Sequence, residues 1–198
     1  MRKKLPLLPV LFLLAAVSCK KSNTSTGTTL SGTWDFVGLV AHTTAAVDQV
    51  YGSDDYKDVT VSDYTTTNNG GTITFNGGVA KTSDFTCEAN FIAVDSSYLD
   101  GQLVGVVSEP FDVNFPATSG SSKYQQIGSD SLYFPSGGVF TMGASANTQT
   151  NAVGSRFTIH NDTLTLIVNF HQVSTQNIGG VPATQTNDVA EKVYYKKE

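Results

Sequence analysis

Residues 155–170 constrain this chain most. Leu164, Leu166, Val168 and Phe170 alternate with Thr165, Ile167 and Asn169, and upstream Phe157 and Ile159 alternate with Arg156 and Thr158. Period two is the signature of a strand with one buried face, and it excludes a helix over this stretch. A tight turn at Asn161-Asp162 pairs Ile159 with Leu164 and Phe157 with Leu166, and sets Thr158 opposite Thr165 on the other face. A slip of one residue would expose every apolar side chain, so the register of this hairpin is specified.

The same period recurs elsewhere. Trp34, Phe36, Gly38 and Val40 share one face, as do Ile73 and Phe75 opposite Thr72 and Thr74. Asn76-Gly77-Gly78 marks a turn, and Pro135-Ser136-Gly137-Gly138 another, between Leu132-Tyr133-Phe134 and Val139-Phe140-Thr141-Met142. Val189 to Lys197 reads as a closing strand with charged ends. Residues 41–51 (AHTTAAVDQVY) have room for one short helical turn, and no other helix of ordinary length is expected. The pattern predicts an all-β chain of about eight to ten antiparallel strands in one domain, residues 30–198. Two polar stretches, 143–154 and 175–188, read as long loops that could serve binding.

Among 198 residues, 12 Lys and Arg stand against 17 Asp and Glu, a net charge of -5. Setting aside Arg2, Lys3 and Lys4 leaves nine against 17, or -8. A surface with that balance does not bind nucleic acid through basic residues. Hydrophobic residues at 39% and charged residues at 15% exclude a highly charged disordered chain.

The N-terminus carries an address. Arg2, Lys3 and Lys4 precede a thirteen-residue apolar stretch, 5–17, which is shorter than the roughly 20 residues of a spanning helix and reads as the core of a signal peptide, residues 1–18. Ala16-Val17-Ser18-Cys19 resembles the lipobox of bacterial lipoproteins, with Ala16 where a large aliphatic residue is usual. The resemblance implies cleavage before Cys19 and a diacylglyceryl group on its sulfur, so that Cys19 tethers the chain to a membrane. Residues 19–29 would then be the lipidated cysteine and a flexible polar spacer, since Lys20 to Thr29 contains no apolar residue. Lys20, in place of Asp, implies delivery to the outer membrane, with either its periplasmic or its outer face possible. A Cys-Lys-Lys start followed by Ser, Asn and Thr is similar to lipoproteins of the Bacteroidetes.

Leu30-Ser31-Gly32-Thr33-Trp34-Asp35-Phe36 opens the domain with Gly-x-Trp. Asp162-Thr163-Leu164-Thr165-Leu166 and the terminal Val193-Tyr194-Tyr195-Lys196-Lys197 complete a pattern that resembles the lipocalin-like domains of such lipoproteins. The resemblance implies a single β-barrel in which Trp34 closes one end beneath a basic residue near the last strand, with Lys192 or Lys196 as the candidates. Two features depart from true lipocalins: the later Thr-Asp-Tyr-type loop is missing, Ser62-Asp63-Tyr64 lying too early, and no C-terminal helix is evident. A two-sheet β-sandwich, as in fimbrial or glycan-binding lipoproteins, is the alternative architecture.

No catalytic constellation is nominated, and no cofactor. Gly-x-Ser-x-Gly, phosphate-loop and dinucleotide signatures are absent from the sequence. With Cys19 acylated, Cys87 has no partner for a disulfide, and Phe85 and Phe91 around it fit a buried thiol in a strand. His42, His160 and His171 are not spaced as metal ligands on one element. Asp54-Asp55-Tyr56-Lys57-Asp58 lacks the ligand alternation and Gly of a calcium loop and reads as a solvated loop. Tyr51, Tyr56, Tyr64, Tyr98 and Tyr124 lie in or near polar segments and suit sugar or protein contact, or ordinary strand ends. The chain is therefore expected to bind rather than catalyse. Two readings stay open: a barrel holding a small apolar or amphipathic molecule, or an interaction, glycan-binding or structural module with a filled core. The sequence sets no oligomeric state.

Overall fold

A computed structural model describes residues 29–138 and 152–198. Every element among them is a strand: β1 (Gly32–Tyr51), β2 (Asp54–Asn76), β3 (Val79–Leu99), β4 (Gln102–Lys123), β5 (Gln125–Ile127), β6 (Ser131–Phe134), β7 (Val153–His160), β8 (Thr163–Ile178) and β9 (Val181–Lys197). The strand count falls within the expected eight to ten. The β7–β8 hairpin has the register read from its alternation, with Phe157 opposite Leu166, Thr158 opposite Thr165 and Ile159 opposite Leu164. Asn161 and Asp162 both take positive φ, 46° and 58°, as a two-residue turn between right-twisted strands demands. Leu164, Leu166 and Val168 are buried, and Phe170 is half-buried where the core ends. The expected signal peptide, Cys19, most of the expected spacer, the expected strand over 139–142 and most of 143–154 lie outside the described residues.

The strands form one antiparallel sheet in the order β4-β3-β2-β1-β9-β8-β7-β6-β5. Each strand therefore pairs with its neighbour in the chain, except β4 with β5, and the first and last strands pair with one another. The sheet is not closed into a barrel: its two ends are β4 and β5. They are joined through Tyr124, whose N–H donates to the Gly78 carbonyl at 2.8 Å, and Ser122 Oγ donates across the gap to the Gly137 carbonyl at 2.7 Å.

Three sequence expectations are corrected. Residues 41–51 contain no helical turn. They continue β1, flanked by β2 on one side and β9 on the other, so ladders on both edges satisfy the backbone, and context overrides a weak local preference. Residues 175–188 are not a loop but the outer half of the β8–β9 hairpin, with Thr175 opposite Thr184 and Ile178 opposite Val181. Asp54–Asp58 is not a loop either; it opens β2.

These corrections share a cause. Strands of 20 to 23 residues in β1, β2 and β3 extend well past the core. At about 3.3 Å per residue, 20 residues span roughly 65 Å, far more than one layer of side chains can cover. At one end, the base, the inner face packs Trp34, Phe36, Leu39, Ile73, Phe75, Leu132, Phe134, Leu164, Leu166, Val193 and Tyr195 into one buried cluster. Phe36 meets Phe85 at 4.1 Å and Tyr195 at 5.7 Å between ring centroids. Phe75 meets the edge of Tyr124 at 5.4 Å, and Tyr124 reaches Phe134 at 6.1 Å, so aromatic packing spans the gap that backbone pairing leaves open. Gly71 fits β2 to β3 at a break in their register: its φ is +91°, and a Cβ there would fall 2.5 Å from the Asp84 backbone. Away from the base, the hairpins β1–β2, β3–β4 and β8–β9 continue as arms in which most positions keep some exposure, with small Ala46 and Ala183 among the buried ones.

Candidate functional site

At the base, Trp34 is fully buried, and its Nε1–H donates to the Leu30 carbonyl at 2.9 Å. A basic side chain does cover the indole, but it is Lys197, not Lys192 or Lys196. Its Nζ stands 4.3 Å from the ring centroid and donates to the Ser31 carbonyl at 2.7 Å. Register decides this, because Trp34 is directly opposite Lys197. Lys196 instead donates to the Asn161 carbonyl, and Lys192 lies on the outer face opposite Ile167 and Val40. Val40 does not share the face of Trp34 and Phe36 as expected, because the register shift between Phe36 and Gly38 turns it outward.

Cys87 is fully buried on β3, as its neighbours foretold. Burial, with the charge of Glu88 adding, pushes its thiol up to about 11, which leaves too little thiolate at neutral pH for a nucleophile. The inner face also carries a charge-bearing residue that the sequence reading missed. Glu191 on β9 is 1% exposed, opposite Ala41 on β1 and Val168 on β8. Burial first, and the nearby Glu191 second, hold the Tyr195 hydroxyl well above its ordinary pKa, and Tyr64 is raised by the same two causes and by Cys87. Nothing in the alternation of Glu191 with Lys192 distinguishes a buried acid from a solvated one.

Just above the core, the inner face of β2, β3 and β4 carries a row of rings. Tyr64 stacks on Phe91 at 4.9 Å, and Phe91 on Phe111 at 5.5 Å. Next along the strands is an open cleft of about 300 Å³ lined by Thr60, Ala93, Asp95, Val107, Glu109 and Phe111. Ala93 faces Glu109 across the β3–β4 ladder, and Asp95 faces Val107, so the two carboxylates are diagonal neighbours over a small alanine floor. Thr60 Oγ1 donates to Asp95 Oδ1 at 2.9 Å.

The outer face holds two histidine–aspartate pairs. His42 Nδ1 lies 2.7 Å from Asp63 Oδ1, and His171 Nδ1 lies 2.6 Å from Asp188 Oδ1. Ala190 and Asn169 lie between them, in shallow clefts of about 290 Å³ and 240 Å³ that share His42, Asn169 and Ala190. His160 is elsewhere, beside Asn161 in the turn. No group of three or more potential metal ligands forms among the described residues. A fourth groove, of about 760 Å³, follows the open edge of β4, with Thr82, Thr118, Ser119, Ser121, Ser122 and Gly137 in its lining.

Of the tyrosines that suit contact, Tyr51 and Tyr56 are exposed at the arm tips, Tyr98 is half-exposed, and Tyr64 and Tyr124 pack against the core. Compared with family models, characterised proteins and solved structures, the chain matches none of them.

Proposed function

We propose that this protein is a lipid-anchored envelope lipoprotein of the bacterial outer membrane, and that its β-domain binds on open sheet faces without catalysing a reaction. The architecture is proposed to be a lipocalin-like barrel opened at one seam. The meander order and the β1–β9 pairing support this, since a barrel has both, and among the described residues the ladder is broken only between β4 and β5.

One observation carries the binding reading. A carrier of apolar molecules needs a lumen between its walls, and the base where a lumen would lie holds Trp34, Phe36, Phe75, Phe134, Phe157 and Tyr195, all buried. Dense packing of this kind favours a filled module over a carrier. Residues 30–198, shown folded by circular dichroism, would be titrated with the fluorescent apolar probe N-phenyl-1-naphthylamine while Trp34 emission is followed. A filled base leaves Trp34 unquenched, with no saturable probe signal. Saturation near one probe per chain, with quenching, would establish the carrier instead.

The anchor rests on the lipobox-like Ala16-Val17-Ser18-Cys19 and the polar spacer after it. Mass spectrometry of the membrane fraction should find a chain beginning at Cys19 with added lipid mass, and Cys19→Ala should accumulate uncleaved precursor. Several acyl chains are needed for durable anchoring, because one alone binds only marginally. A mature chain that begins elsewhere, or has no lipid mass, rules the tether out.

A further inference from the structure

We infer that the cleft on the inner face of β2, β3 and β4 binds an organic cation, a guanidinium or alkylammonium group, between the open side of Phe111 and the carboxylates of Asp95 and Glu109. This deepens the surface-binding reading above and rests on it.

Three features of the cleft converge. The first is shape: Ala93 is buried and small, so it leaves a depression between Phe111 on one side and Val107 on the other. The second is the aromatic wall. Phe111 is 43% exposed on the edge strand, and one of its faces is already taken by Phe91, which in turn stacks on Tyr64. The ring also lines the cleft, and a ring face attracts a cation through its quadrupole. The third is charge. Among the described residues the close contacts between basic and acidic side chains are His42–Asp63, Lys57–Asp48 and His171–Asp188. None includes Asp95 or Glu109, and the cleft lining contains no basic side chain. Thr60 fixes Asp95 by donating to it without neutralising it.

Two carboxylates and a ring face form a negative potential in a concave place, where field lines concentrate. A neutral sugar would gain the stacking but would leave both charges uncompensated. An anion would be repelled by both. A cation matches all three parts of the cleft: its charge meets Asp95 and Glu109, its face or alkyl stem covers Phe111, and its donors find carboxylate acceptors, which a guanidinium fork can engage in pairs. The position also fits. The cleft lies on the edge hairpin, above the core and open to solvent, so entry requires no movement of the base.

The test uses the full chain in non-ionic detergent at low ionic strength, titrated calorimetrically with agmatine, which has a guanidinium at one end and an ammonium at the other. Saturable binding of one agmatine per chain is expected, weakening as salt is added. Glu109→Gln and Phe111→Ala should each weaken it about three- to tenfold, and Phe111→Tyr should retain it. His42→Ala, on the opposite face, should leave it unchanged. Both cleft positions are exposed, so these variants should keep the wild-type circular dichroism. Absence of saturable binding overturns the inference, as does binding that Glu109→Gln and Phe111→Ala leave unaltered, or methyl glucoside binding in preference to agmatine. Because the apolar-probe titration reads Trp34 in the base, a failure with agmatine while Trp34 stays unquenched removes the cation site alone and leaves the surface-binding reading standing.

Discussion

Single residues here take their roles from register more than from type. Lys192, Lys196 and Lys197 are equivalent as letters, and only the pairing of Trp34 with Lys197 selects the one that covers the indole. That choice was beyond the sequence, because it depends on how β1 and β9 align across a bulge between Phe36 and Gly38. Cys87, by contrast, was legible, since flanking aromatics in a period-two stretch are a local signal. Its thiol, raised to about 11 from 9.0, has a measurable consequence. A group whose folded pKa is raised contributes fully below its unfolded pKa and loses that contribution as pH climbs towards the folded value. Stability should therefore fall between pH 9 and 11, by about 1.4 kcal/mol per pH unit and on the order of 2–3 kcal/mol in all, with Tyr64 and Tyr195 adding to the loss above pH 10. Urea unfolding at pH 8, 9 and 10 should show a steeper loss between pH 9 and 10 in the wild type than in Cys87→Ala. Equal slopes would remove Cys87 as the cause.

Among the elements, the hairpin of β7 and β8 was readable because both strands bury one face and the turn fixes their offset. Leu166, fully buried between Phe157 and Val193 in the ladder, should lose about 2–5 kcal/mol on replacement by Ala. Denaturant titration measures this, and a loss under 1 kcal/mol would mean that the packing there is loose. The arms were not readable, for the opposite reason. Over residues 175–187 most positions keep exposure and only small Ala183 is buried, so little pressure enforces apolar alternation, and Thr, Gln and Asn occupy strand positions. Polar composition marks exposure to water, which loops and two-faced strands share. The two histidine–aspartate pairs were hidden likewise. His42 and Asp63 come from different strands, and so do His171 and Asp188, and each pair depends on a cross-strand register that local sequence does not contain.

In the molecule as a whole, a filled base supports arms whose inner and outer faces carry the clefts, and the proposed tether at Cys19 would hold both at a membrane. The fold class followed from the alternation, whereas the open seam between β4 and β5 did not, because nothing in the sequence of Gln102 to Ile127 distinguishes an unpaired edge from a paired one. The division between filled base and open arms is tested most directly by hydrogen exchange of the folded chain, read at single-amide resolution. Amides of Trp34, Ile73, Phe75, Leu164, Leu166 and Val193 should exchange only through global unfolding, whereas those of Val47–Val50 in β1, Tyr56–Val59 in β2 and Ser174–Gln176 in β8 should exchange orders of magnitude faster, through local opening. Equal protection along the full length of these strands would mean that a second layer covers the arms, and would contradict a protein that binds on open sheet faces.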